Sequence, residues 1–204
     1  MAGAPPPLER TETRILDIAA AHIRSAGEKR LTVVAIAETA GMSHANIYRY
    51  FASKAALIDA VTGQWLAPLE ASLRSTAEGP DPATDKLERL LATVYRAYRD
   101  KLEADEYGFR LFARAVETGR AVARRHRGRL QSEVQRAIDQ GVSGGEFLMR
   151  DQRRAASLVF DALNRFTHPC AMVLDKDVPR AALDQRFETM VRLAVRALRS
   201  GRVA

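Results

Sequence analysis

The run Ser43-His44-Ala45-Asn46-Ile47-Tyr48-Arg49-Tyr50-Phe51, followed directly by Ala52-Ser53-Lys54, holds the residues of this chain best placed to do chemistry. The chemistry is hydrogen bonding to DNA rather than bond making. An asparagine amide matches the N6 and N7 edge of adenine, and an arginine matches O6 and N7 of guanine. Asn46 and Arg49 supply those groups, and Arg49 can fall back on a phosphate. His44 can donate to a base acceptor, and Ala45 can pack on a thymine methyl. Tyrosine hydroxyls and lysines suit phosphate oxygens, and Tyr48, Tyr50 and Lys54 are of those types. Only Ile47 and Phe51 are large and apolar, so the segment has two anchors and an otherwise polar surface.

These side chains need a scaffold that turns them outward. Thr32 can cap a short helix with Val33, Ile36, Ala37 and Ala40 on its inner face, and Gly41 can stop it. Ser43 can cap the next helix, and Ser53 a further one carrying Leu57, Val61, Trp65 and Leu69. Two short helices joined by Gly41-Met42-Ser43 form a helix-turn-helix pattern. Met42 can plug the gap between them, and Ala37 is small where the axes must approach. The second helix would enter the major groove, which is wide enough to admit it. An ordinary short helix in an all-helical bundle would show the same turn, so the DNA reading rests on residue types and placement.

The rest of the chain is helical in pattern, with no sustained period-two alternation. Ile15, Ile18, Ala19, His22 and Ile23 mark a first amphipathic helix that ends near Gly27. Gly79-Pro80-Asp81-Pro82 is the clearest break; Asp81 is expected to cap a fifth helix with Pro82 at its first position. That helix carries Leu87, Leu90, Leu91, Val94, Tyr98 and Leu102, and a sixth is expected from Glu106 to Ala115. A seventh, with Leu130, Val134, Ala137 and Ile138 inward, is expected to end near Gly141. The eighth shows Ala155, Leu158, Val159, Ala162, Leu163 and Phe166, and His168-Pro169 ends it. Asp177 and Pro179 open a ninth with Leu183, Phe187, Met190, Val191, Ala194 and Leu198.

The chain has 204 residues, 47% of them apolar, enough for a sizeable core in one large or two small domains. Net charge is +7, which favours an anionic partner. Residues 1–54 hold only +2 of it, seven Lys/Arg against five Asp/Glu. Gly108 to Arg136 holds eight arginines against Glu117 and Glu133, so charge alone points away from the helix-turn-helix. The arginines admit three readings: a solvated face, an accessory contact to DNA phosphates, or the rim of an acid-binding pocket. Arg120, Arg124 and Arg127 share a face at i, i+4, i+7, an extended stripe that favours the solvated reading with long-range steering of DNA.

Thr32 to Lys54, TVVAIAETAGMSHANIYRYFASK, closely resembles the N-terminal signature of the TetR-type (tetracycline-repressor-like) transcriptional regulators. The shared positions are Thr32, Ile36-Ala37, Gly41-Met42-Ser43, Ile47-Tyr48, Phe51 and Ser53-Lys54, about the first quarter of the chain. The resemblance implies a homodimer that places one recognition helix per subunit in successive major grooves of a near-palindromic operator. It implies base reading by His44, Ala45, Asn46 and Arg49 and phosphate contacts by Thr32, Ser43, Tyr48, Tyr50 and Lys54. Tyr50 stands where the family often has histidine, and Arg49 is at a variable place, so the bases read stay open. The resemblance further implies a ligand cavity in the body, lined from helices that carry Trp65, Tyr95, Tyr98, Phe109, Phe112, Phe160, Asn164 and Phe166 here. Aromatics at helical spacing suit a core equally well. If buried, the Asn164 amide needs a partner, either a ligand or a backbone carbonyl. The eighth and ninth helices are expected to pair with their copies, although their stripes would also fill the subunit's own core.

Other chemistries find little support. Cys170 is the single cysteine, with no second thiol for a disulfide and no Lys or Arg closer than Arg165. His22, His44, His126 and His168 show no metal-ligand spacing. Ser157, Asp161 and His168 have the letters of a hydrolase triad without a nucleophile elbow. The start, Met1 to Pro7, lacks a basic n-region and an apolar h-region and reads as the beginning of a loose tail. The expectation is therefore an all-α protein of about nine helices with a tail (1–9), a three-helix helix-turn-helix DNA-binding domain (10–54) and a ligand-binding and dimerisation domain (55–204). It is expected to be a cytoplasmic repressor released from double-stranded DNA by a small-molecule effector, with no cofactor or metal. A transcriptional activator of the same fold is the alternative, and a helical enzyme with a vestigial helix-turn-helix a remote one.

Overall fold

The computed structural model describes residues 7–201, with side chains from Arg10 onward. Of the expected tail over 1–9, residues 1–6 lie outside the described residues, while Pro7 to Glu9 are the first residues of α1 rather than tail. Among those residues the regular structure is helical, ten α-helices and one 3-10 turn, with no strand. In chain order they are α1 (Pro7–Ala26), the 3-10 turn (Glu28–Arg30), α2 (Val33–Ala40), α3 (His44–Tyr50), α4 (Lys54–Glu78) and α5 (Ala83–Ala104). There follow α6 (Glu106–Glu117), α7 (Ala121–Ser143), α8 (Gln152–Thr167), α9 (Pro169–Leu174) and α10 (Arg180–Ser200).

Two apolar clusters organise these helices. The first gathers Ile15 and Ile23 of α1, Ile36 of α2, Ile47 of α3, Phe51, and Leu57 and Val61 of α4. The second runs from Leu66, Leu69 and Leu73 of α4 through α5 to α10. α4 thus belongs to both; its 25 residues span ~37 Å at 1.5 Å per residue. α6 also reaches both, because Leu111 is buried in the first cluster and Phe109 and Phe112 in the second.

Several boundaries differ from the sequence reading, most of them for a tertiary reason. Asp81 does not cap α5; it pairs with Arg89 at 2.8 Å. Glu146, from the turn after α7, instead accepts from the amides of Ala83 (2.8 Å) and Thr84 (2.9 Å). Those two amides, Thr84 foremost, hold its carboxyl below the usual carboxylate range. α7 continues past Gly141 to Ser143, and Gly141 serves a close approach rather than a stop. A Cβ there would overlap the Phe147 ring, which folds back onto the helix. His168-Pro169 ends α8 as expected but also starts α9, because proline fits the first turn of a helix as well as it breaks the preceding one. The stripes of α8 and α10 face inward: Val159, Leu163, Phe166, Phe187, Val191 and Leu198 are all in the subunit's own core.

Candidate nucleic-acid interface and body cavity

α3 has seven residues, too few to be stable alone in water. Tertiary anchoring supplies what length does not. Ile47 and Phe51 are 1% and 6% exposed, and burying such a side chain contributes ~1.5–3 kcal/mol. The turn before it closes on Gly41, at φ +64°, while the Met42 amide donates to the Ala37 carbonyl at 2.9 Å. A left-handed residue at this position satisfies the last carbonyls of α2 at no steric cost to glycine. Met42 is half-buried against the first cluster. Three hydroxyls cap the three helices around the turn: Thr32 accepts from Ala35 N (3.1 Å), Ser43 from Asn46 N (3.2 Å) and Ser53 from Ala56 N (3.0 Å). Each hydroxyl accepts through a lone pair and keeps its own proton to donate.

With its anchors buried, α3 presents the rest outward. Thr32, Ser43, His44, Ala45, Tyr48 and Arg49 are exposed, and Asn46 is half-buried. The His44 and Tyr48 rings meet edge to face, centroids 4.9 Å apart, which stiffens the exposed side of the helix. Tyr50 is half-buried against the first cluster, and Lys54, also half-buried, begins α4. Neither Arg49 nor Lys54 makes an ion pair among the described residues, so both charges face solvent uncompensated there.

The arginines of α6 and α7 differ. Five of the eight are tied to carboxylates: Arg110 to Glu106, Arg114 to Glu28, Arg120 to Asp59, Arg129 to Glu70, and Arg136 to Glu78 and Glu133. Arg120 bridges to α4 at 2.7 Å from Asp59 and donates also to the Ala55 carbonyl at 2.7 Å. Arg124 donates to the Gly119 carbonyl, leaving Arg125 and Arg127 without an ion pair among the described residues. Much of this charge run is scaffold rather than a free basic stripe.

The aromatics proposed for a ligand cavity separate into two groups. Trp65, Tyr98, Phe109 and Phe112 pack edge to face or tilted, with centroids 5.5–6.2 Å apart. Tyr95 and Phe166 belong elsewhere, with Tyr95 stacked on Phe187 at 4.3 Å and donating its hydroxyl to Asp184 at 2.8 Å. Beside the first group is a cavity of about 90 Å³. Tyr98, Phe112, Phe160 and Asn164 line it, together with His126 and His168. Asn164 is exposed at its mouth rather than buried, so its amide needs no internal partner.

Sequence reasoning missed His126. The Tyr98 hydroxyl lies 2.7 Å from its Nε2, and Glu70 Oε1 lies 2.8 Å from its Nδ1. Burial pushes the imidazole below its ordinary pKa, against the opposing pull of Glu70. The neutral ring then donates from Nδ1 to Glu70 and accepts at Nε2 from Tyr98, leaving no buried polar atom of the trio unsatisfied. His126 shares the stripe of Leu130 and Val134, so periodicity would have placed it inward. Nothing local names its partners.

Comparison with known proteins agrees with this architecture. Residues 15–61 match the family described as bacterial regulatory proteins, tetR family, and residues 83–191 match the tetracyclin repressor-like C-terminal domain. No curated protein matches the chain significantly. A transcriptional regulator of the TetR/AcrR family from Thermobifida fusca YX-ER1 is similar with a TM-score of 0.67 at 22% identity, over 91% of this chain and 97% of that one. FadR from Bacillus subtilis, solved with stearoyl-CoA, is similar with a TM-score of 0.62 at 17% identity, over 93% and 98%. RolR, solved with resorcinol, gives 0.62 at 17%, over 93% and 88%. At these identities the structural likeness is one of fold. With the family's N-terminal region followed by its C-terminal domain over more than half the length, the chain belongs to the TetR family of bacterial regulatory proteins.

Proposed function

We propose that this regulator is a repressor that grips a near-palindromic operator as a homodimer and lets go when a small molecule occupies its body. The reading head is α1 to α3 with the first turns of α4; the remainder binds ligand and dimerises. His44, Ala45, Asn46 and Arg49 read base edges, while Thr32, Ser43, Tyr48, Tyr50 and Lys54 hold phosphates. α8 and α10, the eighth and ninth helices of the sequence reading, form the dimer contact. Along these two helices Leu158 and Ala162 of α8 and Met190 and Ala197 of α10 are only half-buried, and Leu193 is 54% exposed. The protein works beside DNA in the cytoplasm; among the described residues no helix is long and apolar enough to cross a membrane.

The observation that carries the release step is the double membership of α6. Leu111 is 6% exposed in the core of the reading head, while the adjacent Phe112, and Val116 a turn later, line the cavity. A helix with both attachments cannot shift at the cavity without moving its contact with α1. Ligand favours one placement of the two recognition helices and DNA the other, spaced about 34–36 Å apart. Operator affinity then falls only by the difference in ligand affinity between the two states, typically ~5–150-fold. That relatives of this fold hold resorcinol and stearoyl-CoA supports an organic effector.

The test is a gel shift with the DNA upstream of the chain's own gene, together with a reporter from that promoter. The expected result is retardation at nanomolar protein, reversal by an effector, and a rise in reporter output when the regulator is deleted. A fall on deletion would identify an activator, and no retardation of any neighbouring intergenic DNA would remove the operator reading.

A further inference from the structure

The cavity between α5, α6, α7 and α8 has an asymmetric lining. Its interior is apolar, with Phe112, Val116, Ala123, Leu130 and Phe160. At its mouth stand Arg127, Asn164, Thr167 and His168. The Thr167 hydroxyl is already committed to the Leu163 carbonyl at 3.0 Å. Tyr98 and His126 are committed to each other and to Glu70. That leaves the Arg127 guanidinium, the Asn164 amide and the His168 ring, none of which makes a side-chain hydrogen bond among the described residues. No Asp or Glu lines the cavity. Glu70, behind His126, is held by His126 and Arg129.

Building on the reading of this cavity as the effector site, we infer that it takes a small monocarboxylate, its short apolar body inward and its carboxylate on Arg127 at the mouth. An uncompensated guanidinium beside an acid-free pocket attracts an anion and repels an amine. A carboxylate also matches the fork of guanidinium donors two bonds at a time. The neutral Asn164 amide can donate a further bond. Burial, and secondarily Arg127 itself, keeps the His168 ring below its ordinary pKa, so the mouth carries one positive charge rather than two. Size sets the body. A cavity of roughly 150 Å³ admits benzene, and this one is about 90 Å³. A branched chain of a few carbons fits that space, whereas a fused ring system or a long acyl chain does not.

Three probes with one skeleton test the inference on the full-length protein: 3-methylbutanoate, 3-methylbutanamide and 3-methylbutylamine. Binding is read by calorimetry and by the fluorescence of Trp65, the only tryptophan, whose ring lies 5.9 Å from that of Phe112 in the cavity wall. The carboxylate is expected to bind at least tenfold more tightly than the amide or the amine. Arg127→Gln should shrink that preference to within about twofold, and Arg125→Gln, on the same helix but outside the cavity, should leave it intact. Failure of the carboxylate to bind, equal binding by the amine, or an unchanged preference in Arg127→Gln overturns the inference. Carboxylate binding that leaves operator affinity unchanged upholds the ligand class and refutes release. Release driven by a neutral or cationic effector bound in this cavity does the reverse.

Discussion

Replacing Glu146 by alanine removes the side chain that satisfies the first amides of α5. In the native protein its two carboxylate oxygens each accept one of them, at 2.8 and 2.9 Å. Truncating an N-cap acceptor costs ~0.5–2 kcal/mol, and a hydrogen bond to a charged group contributes ~1.5–3 kcal/mol. Glu146 is only half-buried, so water recovers part of the loss, and a net cost of ~2 kcal/mol is expected. In a chain of this size each kcal/mol moves the melting temperature by ~2–4 °C, so Glu146→Ala should melt ~4–8 °C lower at pH 7. The pH dependence follows from the depressed carboxyl pKa. A carboxylate with a lowered folded-state pKa contributes its stability above the unfolded value of about 4.3 and loses it as pH falls through the folded one. The gap between wild type and variant should be level from pH 8 to 5 and close in acid. Circular-dichroism melts across that range measure it. Asp81→Ala is the control: it removes an exposed pair with Arg89 and should cost under ~1 kcal/mol. Equal melting temperatures for wild type and Glu146→Ala, or a larger loss for Asp81→Ala, would refute the cap assignment.

Three further outcomes are expected. Lys54→Ala should weaken binding to all DNA sequences alike and reduce the slope of log affinity against log salt by ~1, whereas Asn46→Ala should relax discrimination at one base pair by ~1–3 kcal/mol; competition binding with operator variants at several salt concentrations separates the two, and a uniform loss for Asn46→Ala would reassign it to the backbone. Leu111→Ala opens a hole between α6 and the reading head and should cost ~2–4 kcal/mol in stability, read by urea unfolding, while lowering the factor by which effector weakens operator binding. Leu193→Glu places a charge on an exposed apolar site of α10 and should shift the protein toward monomer in sedimentation velocity; an unchanged dimer would move the contact off that helix.

The reading head was legible in the amino-acid sequence because its determinants are local. Thr32, Ser43 and Ser53 each cap within three residues, Gly41 turns the chain by its own freedom at positive φ, and Ile47 and Phe51 sit four apart on one face. Such interactions depend on spacing along a single helix, and spacing is what a sequence displays. The body is different. Tyr98 and His126 are 28 positions apart, His126 and Glu70 are 56 apart, and Glu146 reaches back 63 to Ala83. Periodicity can turn His126 inward, yet it cannot say which phenol or carboxylate the neighbouring helices will slide opposite it. The same holds for Arg120, which in the sequence is one arginine of a basic stripe and in the fold is a brace to Asp59 on α4. Asp81, well placed to cap by local rules, loses that role to a carboxylate delivered from another turn. Helix identity and the outward face of α3 are therefore sequence properties. The cap of α5, the double attachment of α6 and the polarity of the cavity arise only when side-chain volumes set how far each helix slides along its neighbours.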